Sequence, residues 1–314
     1  AWSRPSHCMR RIRFTIPKRN RRSVSVAMNP DFSTLVSYFS IDVSRCEHKS
    51  IGVELCDFDA NLLHKDIVIS QSIASAIECG VKWFVVPGSD LNDSRNAMDL
   101  SASMDCVVAA TAGVHPYNTE TVILNEQSVY DLTEMSKREE CLAVGECGLD
   151  YSPGFPDKTY QLPWFRAQVD LAIACKKPLY LHIRNAHEDF LHVVREKSGG
   201  SGALPVASVV HCFTGTLSEL QDYVDMGCYI GLTGHIMGID DENLKAILEI
   251  IPTDKLVIET DAPYMGFKGC RETEKSKRGS KYPNVPASLV KVLARLADVS
   301  GISYDELGRL TTTN

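Results

Sequence analysis

No apolar run in this 314-residue chain reaches the roughly 18 residues that a membrane-spanning helix needs, so no helical span is expected. No two cysteines are spaced as a CxxC pair. The 11 cysteines are odd in number and scattered through apolar stretches, which predicts reduced core thiols of a cytosolic or organellar protein. Cys147 and Cys212 sit beside more polar neighbours, yet a buried cysteine is usually a small hydrophobe, and neither is given a role. Low-complexity runs are missing too. A surplus of basic charge is missing from the body of the chain. Residues 1–30 hold seven Arg and one Lys with no acid, a net +8; against a total of −7 this leaves −15 on residues 31–314. So acidic a body should not coat DNA non-specifically, and any polyanion must meet a local patch or a metal. What is present, 44% hydrophobic and 23% charged residues with 20 Gly and 14 Pro, describes a soluble globular protein with a sizeable core.

The chain begins with Ala and its first 30 residues are rich in Arg and Ser, the composition of an organelle transit segment. They lack a helical period, so residues 1–50 are read as a basic extension, untranslated, disordered or targeting, ahead of one domain over 51–314. The expected location is the cytoplasm by default, with nucleus and mitochondrion left open by that extension.

From Ile51 the chain alternates. Strands are expected at Ile51–Phe58, Val81–Pro87, Cys106–Val114, Leu142–Glu146, Pro178–Ile183, Ala207–His211, Cys228–Leu232 and Lys255–Glu259. Amphipathic helices are clearest at Tyr160–Cys175, Glu188–Lys197, Leu217–Met226 and Glu242–Ile250. Runs such as Val81-Lys-Trp-Phe-Val-Val86 are apolar on both faces, as in a parallel sheet covered on both sides. Eight such strands with helix-length connections predict an α/β fold, a parallel eight-stranded (β/α)8 TIM barrel. An open doubly wound sheet would place a Gly-rich phosphate loop after the first strand, and none follows Phe58.

Ionisable residues interrupt the apolar runs at their C-terminal ends. Glu146, His182 and His211 end three strands, Asp261 follows the eighth, Asp57 and Asp59 close the first, and His115 follows the third. A barrel gathers such strand ends around one mouth. Taken singly, each His is more often structural than a ligand. Spacings of 36, 29 and 50 residues from Glu146 to His182, His211 and Asp261 match one, one and two strand–helix units, and two carboxylates with two imidazoles converging there suit a divalent metal. Arg184, two residues past His182, is placed to meet a phosphate or to pair with a loop acid such as Glu188, and His115 is placed to donate to the same phosphate. Lys268, Arg271, Lys275, Lys277, Arg278 and Lys281 form a basic loop after the eighth strand. Such a run is usually a solvated face; its place on the rim makes it the expected nucleic-acid patch.

These residues sit in segments that resemble the TatD family of metal-dependent deoxyribonucleases. The segments are Gly145-Glu-Cys-Gly-Leu-Asp150, Leu181-His-Ile-Arg184, Val210-His-Cys-Phe-Thr-Gly215 and Ile258-Glu-Thr-Asp-Ala-Pro263, with Gly113-Val-His-Pro116, Gln161, Phe165, Gln168 and Asn284-Val-Pro-Ala287 in support. The resemblance covers about residues 52–314. It implies an amidohydrolase-type barrel and hydrolysis of DNA phosphodiesters, often from the 3′ end of single strands. It implies Glu146, His182, His211 and Asp261 as metal ligands, and His115 and Arg184 as phosphate-side contacts. Many members open on an Asp-x-His-x-His motif that holds a second metal. Here Asp57-Phe-Asp-Ala-Asn61 replaces it, leaving Asp59 as a further oxygen ligand that favours Mg or Mn over Zn, with one or two ions. The chain stops at Thr311-Thr-Thr-Asn314, where members continue into a closing helix, so a shortened C-terminus with lower stability is expected. In the expected mechanism Asp261 orients or deprotonates the attacking water, Glu146 holds or bridges the metals, and Arg184 and His115 offset phosphate charge. Two other functions remain at this stage: a metal-dependent esterase or deacylase, for example on D-aminoacyl-tRNA, and an inactive metal-binding scaffold.

Overall fold

A side chain in a strand alternates in and out, and in a closed barrel the two directions are different environments. A computed structural model of the chain describes residues 53–271 and 283–314. Eight parallel strands pair in sequence order: β1 (Leu55–Asp57), β2 (Val81–Val86), β3 (Val107–Ala112), β4 (Cys141–Asp150), β5 (Leu179–Arg184), β6 (Ser208–Val210), β7 (Tyr229–Leu232) and β8 (Leu256–Ile258). Backbone bonds from Phe58 N to Ile258 O (3.2 Å), Asn61 N to Ala262 O (3.0 Å) and Asp261 N to Asp59 O (2.9 Å) close the seam between the last strand and the first. The expected barrel is the one observed.

The helices that wrap it are α1 (Ile69–Glu78), α2 (Leu91–Ser103), α3 (Glu126–Ser136), α4 (Lys158–Cys175), α5 (His187–Lys197), α6 (Leu217–Asp225), α7 (Asp241–Ile250), α8 (Leu289–Ser300) and α9 (Tyr304–Thr313). The four helices read from the sequence agree to within two residues. Outward strand residues such as Leu55, Phe84, Leu181 and Ile230 join one continuous core with the helices, while Ala143, Tyr180, Val209 and Val257 form a second, smaller cluster inside the barrel. α9 lies against β1 and β8, and its end is fixed by Asn314 Nδ2 donating to Thr253 O and Leu256 O, both at 2.7 Å.

Parity explains where the polar residues go. Tyr180, Val209 and Val257 point inward, so His182, His211 and Glu259, two residues further on, point into the same interior one layer nearer the C-terminal rim. In β4 the register with β5 shifts between Val144 and Cys147. That extra residue resets the alternation, so both Ala143 and Glu146 face inward. β4 then runs on past Glu146 to Asp150, four residues beyond the expected end.

Helix α4 clamps two of the loops that carry the site. Gln161 and Gln168 are buried on one face of α4. Gln168 accepts from Val114 N (2.7 Å) and donates to Val114 O (3.0 Å), just before His115. Gln161 does the same for Asp150 N (2.7 Å) and O (2.6 Å). These amide pairs satisfy backbone groups where the ladder ends, a task a leucine of similar volume could not perform. Gln168→Leu is therefore expected to destabilise the protein by about 1–3 kcal/mol for each orphaned backbone group. The check is a urea midpoint shifted down at unchanged slope; an unshifted midpoint would show that Val114 finds other partners.

Candidate metal centre

Three imidazoles turn toward one carboxylate oxygen. His182 Nδ1 and His211 Nε2 each lie 3.0 Å from Glu146 Oε1, and His115 Nε2 lies 3.4 Å from it. Burial would push the Glu146 carboxyl up, but the charges of His115 and His211 and the hydrogen bonds from His115 and His182 hold it well below the usual carboxylate range. On the other side of His211, Nδ1 faces Asp59 Oδ2 at 3.2 Å and Glu259 Oε1 at 3.3 Å. Burial works against the imidazolium there, yet Glu146, Glu259 and Asp59 together raise the His211 ring well above its ordinary value. Asp59 itself is pushed up to about 6, chiefly by burial, with His211 opposing and Glu146 and Glu259 adding to the rise.

The remaining acids are tied in by neutral donors. Asn61 Nδ2 donates to Asp59 Oδ1 (3.2 Å) and Asp261 Oδ1 (3.0 Å). Tyr180, from the interior of the barrel, donates to Asp59 Oδ2 (2.8 Å) and lies 3.1 Å from Glu259 Oε2. The Cys212 backbone N–H donates to Glu259 Oε1. A Cβ on Gly231 would sit 2.6 Å from that same oxygen, so only glycine leaves room for Glu259. Asp261 takes a left-handed φ of 53°, and burial, then repulsion from Asp59, raises its carboxyl well above the usual value. Asp57, expected at the mouth, instead binds the seam: it accepts from Thr260 N (2.8 Å) and Thr260 Oγ1 (2.6 Å).

Hydrogen bonds assign the ring protons. His182 Nε2 lies 2.8 Å from Asp150 Oδ2, whose carboxylate stays below its ordinary range as bonds from His182 and Ser152 outweigh its burial. Both ring nitrogens of His182 face carboxylates, Nε2 on Asp150 and Nδ1 on Glu146, and a carboxylate can only accept, so the unliganded ring carries hydrogen on both; Nδ1 would offer a lone pair once a cation displaced its proton, with Asp150 keeping the hydrogen on Nε2. His115 is the reverse case. Its Nδ1 accepts from Tyr117 N at 3.1 Å, and burial lowers its pKa, so the neutral ring carries hydrogen on Nε2. His115 thus presents a donor to the mouth, whereas His182 would present a lone pair to a cation.

The donor set fits a divalent cation. His115–Glu146–His182, Asp59–His211–Glu259 and His211–Cys212–Asp261 each bring their potential ligand atoms within 4.8 Å of one another. His211 Nδ1 is buried and makes no hydrogen bond of proper geometry despite two carboxylates beside it. Imidazole with carboxylate is a donor mixture that suits transition ions and also Mg or Mn. Cys212 is a poor candidate as a thiolate, since burial and then Asp261 push its thiol far up.

All four expected ligands, Glu146, His182, His211 and Asp261, meet here with Asp59 and His115. Arg184 is exposed at the end of β5 and forms no ion pair with Glu188 or another described residue; its charge, after burial, helps depress His235 in the loop beyond β7. Lys268 is exposed and Arg271 half-buried beyond β8, whereas Lys275, Lys277, Arg278 and Lys281 lie outside the described residues, as do residues 1–52. Sequence reasoning assigned no role to Asp150, Glu259 or Tyr180. Asp150 and Glu259 lay within the segments already quoted, at positions of the same parity as Gly148 and Val257.

Asp150 orients His182, so Asp150→Asn is expected to weaken binding of Mn²⁺ about 10- to 100-fold with the fold intact. Calorimetric titration checks this, and an unchanged affinity would free His182 from Asp150. The raised His211 and His182 rings also mean that proton and metal compete. Apparent affinity should therefore rise with pH through the imidazole range and above, with proton release measurable in buffers of different ionisation enthalpy.

A family profile described as TatD related DNase matches residues 56–314. Relatives named 3'-5' ssDNA/RNA exonuclease TatD include one from Edwardsiella piscicida, 38% identical over 214 residues and covering 67% of this chain and 79% of the relative. Another, from Citrobacter koseri, is 33% identical over 264 residues, 82% of this chain and 96% of the relative. Among solved structures, a TatD family hydrolase from Entamoeba histolytica superposes with a TM-score of 0.69 at 24% identity over 83% of this chain and 96% of its own, which shows the shared fold. With a profile spanning nearly all the described residues and relatives above 30% identity, this chain belongs to the TatD-related DNase family.

Proposed function

We propose that the protein is a metal-dependent nuclease that removes nucleotides from the 3′ end of single-stranded DNA. The observation that carries this reading is the gathering of His182, His211, Glu146, Asp261 and Asp59 at one end of the barrel, with a hydrogen-bond donor, His115, beside them. The relatives' names supply the substrate class and the direction of attack.

Glu146, His182 Nδ1, His211 and Asp261 would hold the metal, and Asp59 would add an oxygen; Mg or Mn suits this oxygen-rich set better than Zn. When bound, such an ion polarises a phosphoryl oxygen and makes water a stronger acid. Asp261 takes the proton of the water that attacks phosphorus, the bond from phosphorus to the 3′ oxygen of the preceding nucleotide breaks, and that oxygen takes up a proton from solvent to leave a new 3′-hydroxyl. Asn61 holds the Asp261 carboxylate in place by donating to Oδ1. His115 donates from Nε2 to an oxygen of the same phosphate, and Arg184, exposed at the end of β5, meets the next one. Lys268 and Arg271 extend a cationic approach beyond β8.

The test is a degradation assay on 3′- and 5′-labelled single strands of DNA and RNA, with Mg, Mn or Zn and a chelator control. Stepwise metal-dependent loss from the 3′ end is expected, abolished by Glu146→Ala and lowered in kcat about 10²–10⁴-fold by Asp261→Asn. Hydrolysis of a D-aminoacyl-tRNA ester without loss of DNA would replace the proposal with an ester hydrolase. Metal binding by the folded protein with no turnover of either would replace it with a scaffold.

A further inference from the structure

Aromatic rings border the metal centre without being buried by it. Tyr117 is 61% exposed and Tyr264 is 53% exposed, although large aromatic side chains usually gain by burial. Neither lies on a slack loop. Tyr117 follows His115-Pro116, and its backbone N–H is the one that fixes the His115 ring. Tyr264 follows Asp261-Ala262-Pro263, and its N–H donates to Asp261 O at 2.7 Å. Each tyrosine is therefore held, through a proline, to a residue of the site. Phe155, half-buried in the loop after β4, links the first of them to the centre: its ring lies 5.7 Å from Tyr117, 6.1 Å from His115 and 6.3 Å from His182. Tyr264 rests edge-on against His64 at 5.4 Å, three strand positions round the barrel from Tyr117. The two tyrosines follow β3 and β8 and so stand on the same C-terminal rim of the barrel, one beside His115 and the other beside Asp261.

We propose that Tyr117 with Phe155 on one side, and Tyr264 on the other, stack the two bases that flank the scissile phosphate, and so restrict the enzyme to unpaired strand ends. The inference rests on the nuclease reading above. Whatever occupies these rings must be planar, apolar on its faces and tethered within a few ångströms of a phosphate seated between His115 and Asp261. An unpaired nucleobase meets all three conditions. A base inside a duplex has the same shape and chemistry, but its faces are already covered by its neighbours and cannot stack here. Stacking reads no hydrogen-bond pattern, so the platform would accept any base.

The experiment uses a single strand carrying 2-aminopurine at its last two 3′ positions and a matched strand abasic at both, each titrated with Mg²⁺ into Asp261→Asn protein to separate binding from turnover. Fluorescence quenching of 2-aminopurine and a tighter affinity for the base-bearing strand are expected, about 5- to 150-fold for each of the two stacked bases. That preference should fall about 5- to 150-fold in Tyr117→Ala/Phe155→Leu, vanish when Tyr264→Ala is added, and return with Tyr117→Phe on an intact Phe155. All three positions are at or near the surface, and a thermal midpoint confirms that the variants fold. Equal affinity of the parent protein for the two strands, or a preference undiminished by the double substitution or surviving the triple one, would overturn the platform while degradation by the wild type upheld the nuclease. Absence of binding and of degradation for both strands would overturn the two together.

Discussion

A buried carboxylate needs partners, and Glu146 has three imidazoles on one oxygen. An unpaired charge at this depth would cost several kcal/mol, so the arrangement is stable only if every strand that supplies a ring is held in register with the others. The same argument runs outward. His211 needs Asp59 and Glu259 behind it, Glu259 needs the Cys212 N–H, the Tyr180 hydroxyl and the space left by Gly231, and Asp59 needs Asn61. Six of the eight strand ends are thereby committed to one cluster. Such a network contributes little net stability compared with an apolar interior; what it provides is a set of donor atoms held in place before any ligand arrives.

The scaffold is built around that demand. Below the polar layer the barrel is filled by a small plug of Ala143, Tyr180, Val209 and Val257, and the larger core lies outside, between strands and helices. Tyr180 belongs to both, its ring in the plug and its hydroxyl on Asp59. At Gly148, φ is +149° and a Cβ would run into the His182 carbonyl, so the close approach of β4 to β5 that brings Asp150 onto His182 requires glycine. The glutamines of α4 then hold the ends of the loops from outside. Each is a polar residue placed where a backbone group leaves the ladder.

The fold was legible because parallel strands buried on both faces announce themselves, and all eight were found within a few residues of their observed ranges. Glu146, His182, His211 and Asp261 were legible for a related reason: a charge at the end of an apolar run has little structural excuse. Asp150 was missed because Gly145 and Gly148 break the look of a strand, and because the register shift at that point upsets simple alternation. Asp57 was misplaced since it has the same parity as Asp59; only the turn after β1, where Asp57 accepts from Asp59 N and Thr260 N, separates them. Glu259 reads as an ordinary strand residue until β7 is seen to leave a glycine opposite it.

Replacement of the Asp-x-His-x-His motif has a consequence that geometry makes definite. A histidine at position 59 would bring a fourth ring to a cluster that already holds His115, His182 and His211. Asp59 brings negative charge instead, and burial raises both acids, with Glu146 and Glu259 adding to the rise at Asp59 and Asp59 adding to it at Asp261. Two acids that resist ionising side by side are relieved most by a small, doubly charged cation between them, and least by a soft ion that prefers nitrogen. Asp59 therefore places an oxygen donor beside Asp261, and the pair of acids suits oxygen-loving metals.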